Sequence, residues 1–350
     1  MPYSDLPPLA FWRLCREDPN FRAQDLYAPK FELRPQMRVA TAGSCFAQNV
    51  VPFVRASDLE FVDVEPAPAH MPPEVQMRFG YGLFSARFSN IYTARQLRQL
   101  VEDVASENLR NEGVWAKSYR YFDALRPNVE PVGLGSPHEG LDHRRDHLRR
   151  VRLMFETADV FFFTLGLTET WEHRKTGLVF PTAPGVVAGQ FDPETYAFRN
   201  LTVSDCIDDL NRALELIRGI APKLKVILTV SPVPLTATAS GNHVLAATTY
   251  SKSVLRAAAG DVTNNTPNVD YFPSFELITG APYYSSFYAN NLRSVTRAGV
   301  DHVMAVFFGA HKLGAGTNPN QVTKMEAPVL DTDADAEICE EAMLEAFAKS

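Results

Sequence analysis

The sequence predicts an α/β fold, a three-layer α/β/α sandwich with a mostly parallel sheet. Two near-continuous apolar runs, at residues 158–165 and 225–230, have the composition of strands that are buried on both faces of such a sheet. Segments with apolar residues at helical spacing separate the predicted strands. This alternation of strands and helices is the pattern that builds a parallel sheet covered by helices on both faces.

The predicted elements follow in order along the chain. A β-branched and alanine run ends at Gly43, and apolar residues at helical spacing then predict a helix over residues 46–54. A second strand is expected at residues 59–64, and Thr93 is a suitable N-cap for a helix over residues 94–104. The remaining elements are predicted as helices at 141–157, 205–219, 249–259 and 296–308 and as strands at 158–165, 225–230 and 269–272.

Three regions are expected. Residues 1–37 are rich in proline and aromatic side chains, which is typical of an ordered arm wrapped on a domain. Residues 38–312 form the α/β domain, and residues 313–350 form a linker followed by an acidic amphipathic helix. Within the domain, residues 112–138 are predicted to be irregular. An insertion of this length in a compact domain is usually functional, and a role in shaping a substrate pocket is one possibility.

Composition and charge exclude several classes of function. The net charge of -7 argues against a nucleic-acid partner and a polybasic membrane surface, and no run of 18 apolar residues predicts a membrane span. The four cysteines include no C-x-x-C pair, so neither a disulfide scaffold nor a zinc site is indicated. We therefore expect a cytoplasmic protein with reduced thiols, no metal ion and no resident cofactor, and the oligomeric state stays open.

The turn after the first strand is the leading candidate for chemistry. Gly43 ends the strand, and Ser44 and Cys45 follow where a helix is predicted to begin. In a parallel sheet this turn lies at the carboxyl edge, where α/β proteins place their ligands. The N-terminus of a helix also favours a thiolate and an oxyanion. The alternative interpretation is a small-residue turn with a buried cysteine.

The motif Gly43-Ser44-Cys45-Phe46-Ala47 matches the sequence that gives the GSCFA family its name, so the chain resembles that family. The family is similar to the SGNH, or GDSL, group of esterases and acyltransferases, whose first block is a strand followed by Gly-Asp-Ser. Laid on that block, Cys45 matches the nucleophilic serine and Ser44 matches the aspartate. The resemblance implies an SGNH-like fold with Cys45 as the first candidate nucleophile and Ser44 as the second.

The same resemblance implies that groups after other strands stabilise an oxyanion together with Gly43. Asn90 lies where SGNH proteins have a glycine block that helps to form the oxyanion hole. Gly166 and Thr168 follow a buried strand as Gly-x-Asn-Asp does in those enzymes, with threonine in the place of the asparagine. A threonine hydroxyl is also a donor, but its side chain is shorter.

The last block of the resemblance departs most from the SGNH pattern. Asn291 and Ser294 occupy the positions of the aspartate and histidine of Asp-x-x-His, and neither is a general base. Of the eight histidines, His243 is the best candidate base, because it lies in a loop after a strand and just ahead of a helix. His143 and His147 have the i,i+4 spacing of a metal-binding pair, and equally that of a helix-surface pair that forms hydrogen bonds.

These residues predict an enzyme of the SGNH type, an acyl-ester hydrolase that acts on a carbohydrate or other acyl ester through a covalent acyl-enzyme. One alternative is a polysaccharide O-acetyltransferase with acetyl-CoA as co-substrate, whose phosphates Arg87, Arg95 and Arg293 would bind. The other is a catalytically degenerate protein that binds a glycan, which the residues at 291 and 294 favour. In each case the expected partner is a small-molecule or glycan ester.

Overall fold

The centre of the protein is a five-stranded sheet in which every neighbouring pair of strands is parallel. The computed structural model describes residues 1–13, 15, 22–314 and 344. The strands are β1 (Arg38–Gly43), β2 (Glu60–Phe61), β3 (Val114–Lys117), β4 (Arg120–Asp123), β5 (Val160–Leu165), β6 (Glu169–His173), β7 (Val179–Phe180), β8 (Tyr196–Asn200), β9 (Lys225–Val230) and β10 (Val269–Tyr271). The central sheet has the order β10-β9-β5-β1-β2. The predicted α/β fold with a mostly parallel sheet is confirmed.

The α-helices connect these strands. They are α1 (Val50–Ala56), α2 (Pro73–Arg78), α3 (Ala94–Ser106), α4 (Pro137–Thr157), α5 (Val203–Ile220), α6 (Val244–Asn265), α7 (Ser274–Thr279) and α8 (Arg297–Ala310). Thr93 caps α3 with a capping box, in which its side chain accepts from the Gln96 N–H and the Gln96 side chain accepts from the Thr93 N–H. The predicted N-cap at Thr93 is confirmed.

Helices cover both faces of the sheet, because successive residues of a buried strand point to opposite sides. On one face, Phe161 and Phe163 of β5 pack into a core with α3, α4, α5 and α6. On the other face, Val160 and Phe162 pack with α1, α7 and α8. The three layers follow from this alternation of apolar side chains along β5.

Two smaller antiparallel sheets accompany the central one. Strands β3 and β4 form a hairpin, and β6 pairs with both β7 and β8. The rings of Trp115 on β3 and Phe180 on β7 have centroids 5.0 Å apart, so the two sheets share a separate small core. The prediction of an irregular segment is therefore wrong for residues 114–123, which form the hairpin.

Residues 22–37 form an arm that contacts β10, an edge strand of the central sheet, through Tyr27 and Lys30. Tyr27 Oη donates a hydrogen bond to Asp270 Oδ2 at 3.0 Å, and the Lys30 N–H donates to the same oxygen at 2.9 Å. Lys30 Nζ donates to the carbonyl oxygens of Val269, at 3.0 Å, and Thr263. These bonds fasten the arm to the outer side of β10.

Among the residues that the structure describes, no helix has both the length and the apolar composition needed to cross a membrane. Of the predicted linker and acidic helix at residues 313–350, only positions 313, 314 and 344 belong to the described residues, so nearly all of the predicted helix lies outside them.

Candidate active site

The turn after β1 requires a glycine at its first position. Gly43 has a φ of +135°, and a Cβ atom there would be 2.4 Å from the carbonyl oxygen of Thr164 on β5. The Ser44 N–H donates to that same oxygen at 3.0 Å. Strands β1 and β5 therefore approach each other closely at their carboxyl ends, and this contact fixes the backbone that leads into Cys45.

Cys45 begins a 3₁₀ turn, Cys45–Asn49, that continues into α1. The helix predicted over residues 46–54 thus starts with a tighter turn, in which the Ala47 N–H donates to the carbonyl oxygen of Ser44 at 2.9 Å. Both candidate nucleophiles are buried, since Cys45 is 5% exposed and Ser44 is 2% exposed. Within the described part of the chain, Ser44 Oγ has no hydrogen-bond partner.

The strand order places this turn at a topological switch point. The neighbours of β1 are β2 on one side and β5 on the other, and open α/β sheets bind ligands at the carboxyl edge where the strand order reverses. A recess of about 220 Å³, partly open to solvent, lies at this point. Its lining comes from the loops after β1, β5 and β9, the segment before α3, and α6, and consists of Ser44, Cys45, Tyr92, Gly166, Leu167, Ser231, Val233, Leu235 and Lys252.

Lys252 of α6 lines the recess and is not among the predicted site residues. It is 3% exposed, and its Nζ donates to the carbonyl oxygen of Gly166 at 2.5 Å. The described residues that line the recess include no histidine and no carboxylate, so Lys252 carries the one basic side chain among them. The sequence does contain a signal for it, because Lys252 lies on a helix face whose other members, Leu255, Ala259 and Val262, are buried and apolar.

Gly166, one of the predicted site residues, lies against the side chain of Ser44. A Cβ atom at Gly166 would be 2.9 Å from Ser44 Cβ, so a larger residue would press on the Ser44 side chain. The Gly166 N–H donates to the carbonyl oxygen of Tyr92 at 2.8 Å. Because this donor is engaged within the fold, Gly166 shapes the recess and does not point a free N–H group into it.

Thr168 and Asn90 are buried, and neither is among the described residues that line the recess. Thr168 Oγ1 donates to Asn200 Oδ1 at 2.7 Å, and its N–H donates to Ser251 Oγ at 3.0 Å. Asn90 Oδ1 accepts a long hydrogen bond of 3.5 Å from Gln48 Nε2. These contacts join the loops at the carboxyl edge to each other and to α6.

The three remaining predicted residues also do not line the recess within the described part of the chain. His243 is exposed and caps α6, with its Nδ1 accepting from the Leu245 N–H at 3.2 Å. Asn291 Oδ1 accepts from the Ser294 N–H, and Asn291 Nδ2 donates to Ser294 Oγ, both at 2.9 Å. Asn291 and Ser294 therefore close a turn ahead of α8.

A second cavity, of about 390 Å³, shares no lining residue with the recess. His147 lines it at 1% exposure, with its Nδ1 2.8 Å from Glu65 Oε2. Burial and the nearby Arg126 lower the pKa of His147 to about 4. Burial alone would raise the pKa of Glu65, but His147 and Arg126 outweigh it and lower that pKa. At neutral pH, neutral His147 thus donates from Nδ1 to the Glu65 carboxylate, whereas His143 is exposed and forms no pair with it.

Comparison with known proteins agrees with the motif at the turn. The sequence model of the GSCFA family matches residues 38–307. A search of curated proteins finds no match for the chain. The matched segment contains the Gly43 turn, every residue of the recess lining and Lys252. Because the match covers well over half of the chain, the protein belongs to the GSCFA family.

Proposed function

We propose that this protein is an SGNH-like acyl-ester hydrolase that forms a covalent acyl-enzyme on Cys45. One observation carries the proposal: Ser44 and Cys45 follow β1 at the switch point of the sheet, and both line a recess that opens to solvent. A buried structural cysteine needs no such opening. The proposed substrate is a carbohydrate or other small acyl ester.

In the proposed reaction the Cys45 sulfur attacks the carbonyl carbon of the ester. The tetrahedral intermediate collapses, the alcohol leaves, and a thioester to Cys45 remains, which water then hydrolyses to release the acid. Cys45 is the first candidate because a thiol at pH 7 is a stronger nucleophile than a hydroxyl. Ser44 is the second, since its Oγ has no hydrogen-bond partner within the described residues.

The lining of the recess favours a short acyl group. Tyr92, Leu167, Val233 and Leu235 give it apolar walls. An acetyl or similarly small group is therefore the proposed acyl component. Cys15, Cys45 and Cys206 are free thiols, and we propose that the enzyme works in a reducing, cytoplasmic setting.

The test is the mass of the intact protein after brief exposure to p-nitrophenyl acetate and, separately, to acetyl-CoA. We expect one acetyl group on the wild-type protein with p-nitrophenyl acetate, and none on Cys45→Ala. The matched control is Cys206→Ala, a cysteine in the core of the protein, which should keep the acetyl group. Ser44→Ala tests the second candidate in the same way.

Other results would favour one of the two alternative functions. An acetyl group that forms only with acetyl-CoA would indicate the O-acetyltransferase, although Arg87 and Arg95 are engaged in ion pairs with Glu130, Asp205 and Asp209 within the fold. Labelling of neither cysteine nor serine with either reagent would overturn the covalent mechanism, and the glycan-binding alternative would then take its place.

A further inference from the structure

Lys252 is an unusual residue to find on the wall of this recess. Lysine side chains are seldom buried to this extent, but Lys252 is only 3% exposed and its Nζ donates to the carbonyl oxygen of Gly166. The described lining of the recess provides three ionisable side chains, Cys45, Tyr92 and Lys252, and no carboxylate. The amine is therefore placed among the groups that would carry out the chemistry.

We infer that Lys252 is the proton carrier of this site, forming a catalytic dyad with Cys45. This inference rests on the proposed function of the recess. It replaces His243, whose exposed ring caps α6, as the candidate base.

The position of the amine is fixed from both sides. Lys252 Nζ donates to the carbonyl oxygen of Gly166, and Gly166 in turn packs directly against the side chain of Ser44. The preceding residue, Ser251, accepts from the Thr168 N–H at 3.0 Å. Two consecutive residues of α6 thus hold the loop after β5, so the amine is held in place by the same contacts that build the recess.

The chemistry of a lysine suits this role. Burial in general favours the neutral form of an amine, and lysines act as general bases for that reason. The neutral amine of Lys252 takes the proton of the Cys45 thiol, and the thiolate attacks the acyl carbon. When the intermediate collapses, the departing alkoxide takes the proton from the ammonium, which leaves neutral Lys252 and the thioester.

The second half of the cycle uses the same group. Lys252 takes a proton from the attacking water, and the resulting hydroxide adds to the thioester carbonyl. Collapse of this intermediate expels the Cys45 thiolate, which recovers the proton from the ammonium. Acid is released and both residues return to their starting state, so no further reactant is needed.

The experiment compares wild type, Lys252→Met and Lys252→Arg. Methionine keeps the length of the side chain and removes the amine, and arginine keeps the charge but does not give up its proton. We expect both variants to acetylate Cys45 with p-nitrophenyl acetate at least about 100-fold more slowly than wild type at pH 7. Lys225→Met is the matched control, because Lys225 lies at the start of β9 over the ring of Phe31, and it should keep the wild-type rate.

A second readout separates this inference from the proposed function. The rate at which iodoacetamide alkylates Cys45 is measured against pH, which needs no acyl chemistry. Lys252→Met should alkylate more slowly at pH 7 and need a higher pH to reach its full rate. Wild-type rates in both assays for Lys252→Met would overturn the dyad, and full rescue by Lys252→Arg would show that only a charge is needed. If the wild type never acetylates but its alkylation depends on Lys252, the dyad stands and the hydrolase proposal fails.

Discussion

The backbone of Gly43 lies so close to Thr164 that a Cβ atom at position 43 would be 2.4 Å from the carbonyl oxygen of Thr164 and 2.6 Å from its amide nitrogen. Real Cβ atoms do not approach backbone atoms this closely, so any side chain at position 43 must separate β1 from β5. Both are interior strands of the sheet, and the loops that follow them line the recess. The glycine of the motif is thus explained by packing as well as by its φ of +135°.

The first prediction concerns this contact. Gly43→Ala should lower the free energy of unfolding by about 3 kcal/mol or more, since it combines an unfavourable φ with a clash between backbones. Gly177→Ala is the matched control, because Gly177 also has a positive φ, of +69°, with no heavy atom within 4 Å of an added Cβ. It should cost only about 1 kcal/mol. Equal losses for the two variants in urea denaturation would contradict the proposed contact.

The second prediction concerns the reactivity of two buried thiols. Burial, followed by the nearby Asp209, raises the pKa of Cys206 to about 12, and Cys206 lies in the core at 0% exposure. Cys45 instead borders a recess that is open to solvent. Iodoacetamide at pH 8 should therefore alkylate Cys45 at least about tenfold faster than Cys206, because the reagent needs both thiolate and access. Peptide mass mapping over time measures both rates, and preferential labelling of Cys206 would refute this placement.

The third prediction is a loss of stability in mild acid. The folded state holds the pKa of His147 at about 4 against an ordinary value of 6.5, so the unfolded chain binds a proton that the folded protein does not. The contribution of His147 to the free energy of unfolding is fully present above pH 6.5, and the free energy of unfolding falls by up to about 3 kcal/mol as the pH drops to 4. The lowered pKa of Glu65 adds a further loss below its ordinary value of 4.5.

A histidine variant on the same helix provides the comparison for this acid effect. His147→Gln keeps a donor for Glu65 but cannot titrate, so its unfolding free energy should change less between pH 6.5 and 4.5. His138→Gln, at a side chain that is 81% exposed, should keep the wild-type slope. Chemical denaturation at a series of pH values measures both slopes, and identical slopes for the two variants would exclude His147 as the source.

The fourth prediction concerns the block that departs from the SGNH pattern. Asn291 closes the turn ahead of α8 through hydrogen bonds to the Arg293 and Ser294 N–H groups. Asn291→Ala should cost about 1 kcal/mol of stability and leave acetylation of Cys45 unchanged. Ser294→Ala keeps both backbone bonds and should cost less. Loss of acetylation in Asn291→Ala would instead give this block a part in the chemistry.

Much of the central fold could be predicted because its signals are local. The strand at 225–230 was expected from an unbroken apolar run and has those bounds in the structure. Helix α6 is longer than the predicted 249–259, because its first turns are largely exposed and lack an apolar stripe. The two small sheets were not predicted, since their strands have only two to five residues and their shared core joins segments far apart in the sequence, as in the contact of Trp115 with Phe180.

In the candidate site, too, some residues could be predicted from local sequence and others could not. The placement of Ser44 and Cys45 at the carboxyl edge follows from a strand, a glycine and a turn that are adjacent in the sequence. Lys252, in contrast, is 86 positions after Gly166 in the sequence, and only the fold brings its Nζ to the Gly166 carbonyl oxygen. No local pattern specifies that pairing. The sequence marks Lys252 as unusual only because it lies on an apolar helix face. The function of a buried lysine cannot be predicted until the residues around it are known.

The arm along β10 has a consequence for association between copies of the chain. Strand β10 bonds to β9 through the carbonyl oxygen of Asn268 and the N–H of Phe272, so the Val269 carbonyl and the Tyr271 N–H face the free edge. Lys30 Nζ donates a hydrogen bond to the Val269 carbonyl, and the Tyr271 N–H donates to Asp270 Oδ1 at 2.8 Å. An unpaired strand edge is a template for edge-to-edge aggregation. The arm covers the Val269 carbonyl, which a chain without residues 22–37 would expose, whereas the Tyr271 N–H would stay bonded to Asp270.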